Sequence, residues 1–127
     1  MKEFVMDSAV ILNNFNFRFS GQEKFYATNE VLDELIDFRS KRLVEAGLKQ
    51  KHIEVREPSK DSLKKVERAA YALDLRHRLS QADLSIIALA FELKLPLLSD
   101  DIQVQKICIQ LGLQFDSVFR EKIEPKK

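Results

Sequence analysis

One cysteine and two histidines are all that 127 residues offer to thiolate or imidazole chemistry. A lone Cys108 excludes an intrachain disulfide and a thiolate zinc cluster. His52 and His77 lie far apart in sequence, which excludes a histidine-rich metal centre and argues against a hydroxyl nucleophile activated by histidine. Charge of one sign is lacking too. The formal net charge is +1, so attraction for a nucleic acid has to come from how the charges are distributed. No apolar run approaches membrane-spanning length and residues 1–7 have no signal-peptide core, so the cytoplasm is the expected compartment.

What the chain does have is a single domain's length, with 45% apolar and 32% charged residues. Any bound metal must be held by carboxylates, which suits Mg2+ or Mn2+. Lys2–Met6 ends in Phe4-Val5-Met6 and predicts a buried strand, followed by a brief helix over Ala9–Leu12. Residues 14–26 are polar with interleaved aromatics and read as a flap or long loop. A helix is predicted over 29–47, capped by Thr28 or Asn29 and ended by Gly47, with Val31, Leu35 and Phe38 on one apolar face. Residues 52–56 alternate as a strand does, and Pro58-Ser59 precedes a helix over 60–73. The helix that Ser80 begins is apolar nearly all round, which predicts deep packing. Residues 96–99 read as a short buried strand, 101–111 as a helix ending at Gly112, and 114–118 as a last strand. Strands alternating with helices imply a parallel sheet covered on both faces. The expected fold is a three-layer α/β/α domain over residues 1–120, with a charged tail at 121–127.

In such a domain the carboxyl ends of strands and the amino ends of helices share one edge, where ligands of open sheets bind. Asp7 closes the first strand, Asp100 and Asp101 follow Leu97-Leu98, and Asp83 comes three residues after Ser80. Glu34 falls in the second turn of the 29–47 helix. Carboxylates from four separate stretches therefore project to one edge. Asp83 also suits a cap with Ser80, and Asp101 a plain N-cap. Glu34 is harder to explain locally, since it sits roughly 60° from Val31, beside the apolar stripe. Asp7, between a buried strand and a short helix, has little structural reason to be charged. Acids gathered within a few ångströms raise one another's pKa unless a cation sits among them. A divalent ion resolves that conflict and supports phosphodiester hydrolysis.

Phe4-Val5-Met6-Asp7-Ser8-Ala9 resembles the first motif of PIN domains, an apolar strand ending in Asp before a small hydroxyl residue. Val31-Leu32-Asp33-Glu34-Leu35 resembles the second, with Glu34 in place of the metal-site glutamate. Leu79-Ser80-Gln81-Ala82-Asp83 resembles the third, and Leu98-Ser99-Asp100-Asp101 the fourth, with Asp101 as the matching acid and Asp100 as its neighbour or substitute. The four stand in order along nearly the whole chain. The resemblance implies a divalent-metal-dependent endoribonuclease that hydrolyses single-stranded RNA. Asp7, Glu34, Asp83 and Asp101, with Asp100 beside them, are then the catalytic and metal-holding acids for one or two Mg2+ or Mn2+ ions. Water is the implied nucleophile, and Ser8 and Ser99 orient the carboxylates. The Val-Leu-Asp-Glu-Leu and Ser-Asp-Asp forms look most like the branch that trims the 3′ end of small-subunit ribosomal RNA in archaea and eukaryotes. That branch commonly carries a zinc ribbon, for which these residues, with one cysteine, hold no ligands. Toxin members of toxin–antitoxin pairs share the acid pattern and remain an alternative.

Arg18, Tyr26, Arg39 and Arg42 are the expected RNA contacts, while alternate-position Phe15, Phe17 and Phe19 favour packing over base stacking. Two rivals come from other classes. One is a PIN-like module that binds RNA or a protein partner, or pairs as a homodimer, without cutting. The other is an aspartyl-phosphate domain, against which Ala9 argues, since no second acid stands there.

Overall fold

Val5 and Met6 are fully buried in the computed structural model, which describes residues 2–14 and 17–117. They belong to β1 (Lys2–Met6), the middle strand of a five-stranded parallel sheet. β2 (Glu23–Ala27) pairs with β1 on one side and carries β3 (Ile53–Val55) beyond it. β4 (Leu97–Leu98) pairs with β1 on the other side and carries β5 (Phe115–Asp116). The order is β3-β2-β1-β4-β5. The chain thus winds outward from β1 to β3, then returns across β1 to β4. Its direction reverses between β1 and β4, which makes their carboxyl ends the topological switch point.

Among the described residues, six helices complete the three-layer α/β/α domain: α1 (Ala9–Leu12), α2 (Asn29–Asp33), α3 (Phe38–Lys49), α4 (Lys60–Ala72), α5 (Gln81–Leu93) and α6 (Ile102–Leu111). A 3-10 turn at Arg76–Arg78 joins α4 to the approach of α5. α5 packs on β1 and β4 and is flanked by α2, α4 and α6, so it needs apolar residues on every side. Ala82 and the unbroken run 84–90 are accordingly buried. Gly112 ends α6 at φ +73°, a conformation that suits glycine.

Three expectations need correction. Residues 14–26 are not all loop, because β2 begins at Glu23. Phe17 packs edge-on against Phe25 with ring centroids 5.8 Å apart, and Phe19 lies 5.1 Å from Phe17, so these rings belong to the core. Phe15 lies outside the described residues, as do Val118 and the 121–127 tail. Tyr26 is buried at 7% exposure, with the Lys24 ammonium 5.1 Å and the Arg56 guanidinium 5.5 Å from its ring centre. It offers no face to a base and is withdrawn as an RNA contact.

The helix expected over 29–47 is two helices. Thr28 caps α2 by accepting from the Val31 N–H at 3.2 Å, and α2 ends at Glu34. Asp37 then starts α3 by accepting from the Ser40 N–H at 3.0 Å. The break turns Leu35 into the core at 2% exposure and leaves Phe38 in solvent at 75%, so Phe38 does not share the apolar face of Val31. Gly47 does not end α3, which continues to Lys49. A Cβ there would stand 2.7 Å from Ile53 Cδ1 and 3.0 Å from Phe19 Cζ, so close packing of α3 against β3 selects the glycine.

Candidate active site

The switch point delivers acids from four separate segments to one cleft. Asp7 directly follows β1, and its N–H still donates to the Leu98 carbonyl at 3.1 Å, as though the strand continued. Asp101 is the N-cap of α6, where its Oδ1 accepts from the N–H groups of Gln103 (2.8 Å) and Val104 (3.4 Å). Asp83 and Ser80 form a capping box at the start of α5, with Ser80 N–H donating to Asp83 Oδ2 at 3.0 Å. Both capping readings therefore hold, and they do not compete with a role at the cleft. Each cap engages one carboxylate oxygen. The second oxygen of Asp83 and of Asp101 accepts no hydrogen bond among the described residues. Glu34 stands at the end of α2, where its side chain accepts from Ser8 Oγ at 2.7 Å.

These residues and Asp100 border a cleft of about 400 Å³, together with Ser8, Ala9, Asn13 and Ser80. Among the described residues, no lysine, arginine or histidine lines it. Asp100 accepts a short hydrogen bond from the Ser117 hydroxyl. Ser99 is the hinge of the arrangement. Its buried hydroxyl donates to Asp7 Oδ2 at 2.8 Å and accepts from the Asp101 N–H at 3.1 Å, so one side chain places two acids.

Electrostatics follow from burial. Burial pushes the Asp7 carboxyl above the ordinary aspartate range; hydrogen bonds from Ser99 and the Ala9 N–H oppose the rise, and the charges of Asp101 and Glu34 add to it. Asp83 is raised in the same way, first by burial and then by Asp7 and Asp101, against the hydrogen bonds from Ser80. The cleft is thus lined by hard oxygen donors, a set that suits a divalent cation. The convergence is at the scale of the cleft. Among the described residues, no three His, Cys, Asp or Glu side chains are already drawn together as a metal cage. Each acid instead turns to its own local donor.

Arg39, Arg42 and Arg18 do not border this cleft; they meet in a second groove along α3. Asn13 also borders the cleft, although no sequence motif marks it. Asn13 lies one turn after Ala9, a spacing that could have placed it on the cleft side of α1.

A profile of the PIN domain of ribonuclease matches residues 4–93. A curated relative in Pyrococcus abyssi, Endoribonuclease Nob1, is 36% identical over 118 residues, which is 93% of this chain and 70% of the relative. Endoribonuclease Nob1 of Methanothermobacter thermautotrophicus is 31% identical over 94% of this chain and 70% of its own length. Among solved structures, VapBC-1 from nontypeable Haemophilus influenzae aligns with a TM-score of 0.64 at 16% identity, over 91% of this chain and 97% of that one. VapBC2 from Rickettsia felis, bound to a DNA fragment from their promoter, aligns at 0.60 and 12% identity over 91% and 98%. Identities that low speak for the fold alone. With the family's profile lying over most of the chain, and three of the cleft acids within it, the chain belongs to the PIN-domain family of ribonucleases.

Proposed function

We propose that this chain is an endoribonuclease that hydrolyses single-stranded RNA with Mg2+ or Mn2+ and acts in maturation of the 3′ end of small-subunit ribosomal RNA. The observation that carries the reading is the convergence of Asp7, Glu34, Asp83 and Asp101 from four segments on one cleft. PIN nucleases in general depend on divalent metal, and a ribonuclease acts on RNA. Asp7, Glu34, Asp83 and Asp101 would hold the metal, directly or through water, with Asp100 beside them. When bound, a divalent ion offsets charge on a phosphoryl oxygen and lowers the pKa of water. The protein's part is to keep acceptors at the cleft wall: Ser99 fixes Asp7, Ser8 fixes Glu34, and the caps fix Asp83 and Asp101. In this reading Ser8 and Ser99 orient the carboxylates, water is the nucleophile, and no covalent intermediate forms.

The ribosomal substrate follows from the Val31–Leu35 and Ser99-Asp100-Asp101 forms and from the similarity to proteins named Endoribonuclease Nob1. The toxin reading has fold likeness in its favour but no comparable sequence likeness. A cytoplasmic compartment suits this role, and among the described residues no helix is long and apolar enough to cross a membrane.

The test is incubation of labelled single-stranded RNA spanning a ribosomal 3′ junction with Mn2+, Mg2+ or EDTA. Asp7→Asn and Asp83→Asn should abolish internal cleavage without unfolding the protein. Asparagine at 83 keeps the acceptor that the Ser80 N–H needs, so lost cleavage there is not a lost cap. Undiminished cleavage by both variants removes the proposed site, and tight RNA binding by a wild type that never cuts favours the binding module.

A further inference from the structure

The groove along α3 has a volume of about 510 Å³ and is lined by Arg18, Phe38, Arg39, Arg42, Leu43 and Ala46. Among the described residues it is lined by no acid, whereas the cleft is lined by no lysine, arginine or histidine. Phe38 stands at the first turn of α3 with 75% of its surface exposed, so its ring is open to a ligand. The Arg42 guanidinium lies 5.4 Å from the Phe38 ring centre and backs the ring with a cation. Arg18 Nη1 donates to the Phe17 carbonyl at 3.1 Å, which steadies a second guanidinium in the groove.

Arg39 has a different task. Its Nη2 donates to the Ile11 carbonyl at 2.5 Å, tying α3 to α1. α1 in turn borders the cleft, because Ala9 and the following Asn13 line it beside the acids. Through the Arg39–Ile11 hydrogen bond, the groove with its two other arginines and its exposed aromatic ring is tied to the helix that borders the acids. Every base has a π face, so such a ring holds unpaired nucleotides with little regard to sequence, and arginines hold their phosphates.

We propose that this groove is a subsite for a nucleotide flanking the scissile phosphate. The base stacks on Phe38, Arg18 and Arg42 hold the phosphate, and Arg39 is a strut between α3 and α1. The substrate class rests on the ribonuclease reading above.

The experiment measures the affinity of the full chain for a fluorescent single-stranded RNA dodecamer in EDTA by anisotropy, and cleavage kinetics in Mn2+ alongside. Phe38→Ala is expected to weaken binding and raise KM on the order of tenfold, with kcat little changed, and Phe38→Trp to restore both. Arg18→Gln and Arg42→Gln should each lower the slope of log affinity against log salt by about 0.7. Phe38 is exposed, so its truncation leaves the core intact. Equal affinity and KM in wild type and Phe38→Ala overturn the subsite and leave the groove to a protein partner, even if Asp7→Asn still abolishes cleavage. Weakened binding by Phe38→Ala in a protein that never cuts keeps the subsite and sinks the nuclease. A wild type without affinity for RNA overturns both.

Discussion

Ser99 shows how one hydroxyl sets the state of a buried acid. It is 1% exposed and supplies the 2.8 Å hydrogen bond that holds the Asp7 carboxyl down against the pull of burial. In Ser99→Ala, Asp7 loses that donor and Asp101 loses the acceptor for its N–H, so the Asp7 pKa rises further. Metal binding needs the deprotonated carboxylate, and so the acid limb of kcat/KM against pH should move to higher pH. Activity at neutral pH should fall roughly 10- to 100-fold, with Ser99→Thr recovering most of it. An unmoved limb with full activity shows that Ser99 only fills space. Cys108 is the counter-case: burial pushes its thiol up to about 12, so it is core and not chemistry. Asp7 and Ser99 were legible in the sequence because motif and topology name them. The exposure of Phe38 was not, because its spacing from Val31 and Leu35 is that of an apolar stripe.

At the scale of elements, strand and helix order could be read from hydrophobic pattern, and boundaries failed where tertiary contact overrides it. The break between α2 and α3 is invisible to periodicity because Leu35 stays in phase with the core on either reading; its one local sign is Asp37, three residues before Ser40. β2 escaped because Glu23 and Lys24 open it with charge, although Lys24 is satisfied by Glu54 across the sheet at 2.6 Å. A second tie holds the two acid-bearing helices together. Ser85 Oγ donates to the Ala82 carbonyl, so the 2.7 Å contact with Thr28 makes Thr28 the donor and pins the start of α2 to α5. Gly47 tests the packing of α3 on β3. Alanine there gains about 1 kcal/mol of helix propensity, but its methyl meets Ile53 and Phe19, an overpacking that costs about 1–3 kcal/mol. Gly47→Ala should lower Tm by several degrees in thermal denaturation. A Tm at or above wild type means that Ile53 and Phe19 yield, and that the glycine was a poor helix residue with no packing reason.

For the whole molecule, the switch point that creates the site also makes it a source of instability. Parallel pairing of β1 with both β2 and β4 forces Asp7 beside Asp101, and the packing of α5 on β1 brings Asp83 close. This much was legible, because alternation of strand and helix fixes which ends share an edge, and so were the caps of Asp83 and Asp101 and the serines beside Asp7 and Glu34; which carboxylate oxygen each bond takes was not, since that depends on individual rotamers. The consequence can be measured. Asp7 and Asp83 carry pKa values raised in the folded state, so the native protein binds more protons than the unfolded chain between the ordinary aspartate value and the raised ones. Stability then falls as pH rises through that window and stays lowered above it. In EDTA at neutral pH, Asp7→Asn should therefore be more stable than wild type, with a higher Tm and a flatter dependence on pH. Mn2+ should reverse the order, because a ligand of the folded state raises Tm with its concentration and the variant has lost an acid that holds it. If Asp7→Asn is the less stable protein in EDTA, the carboxylate is a structural group held by Ser99, and the idea that this fold strains to keep an acid ready for metal fails.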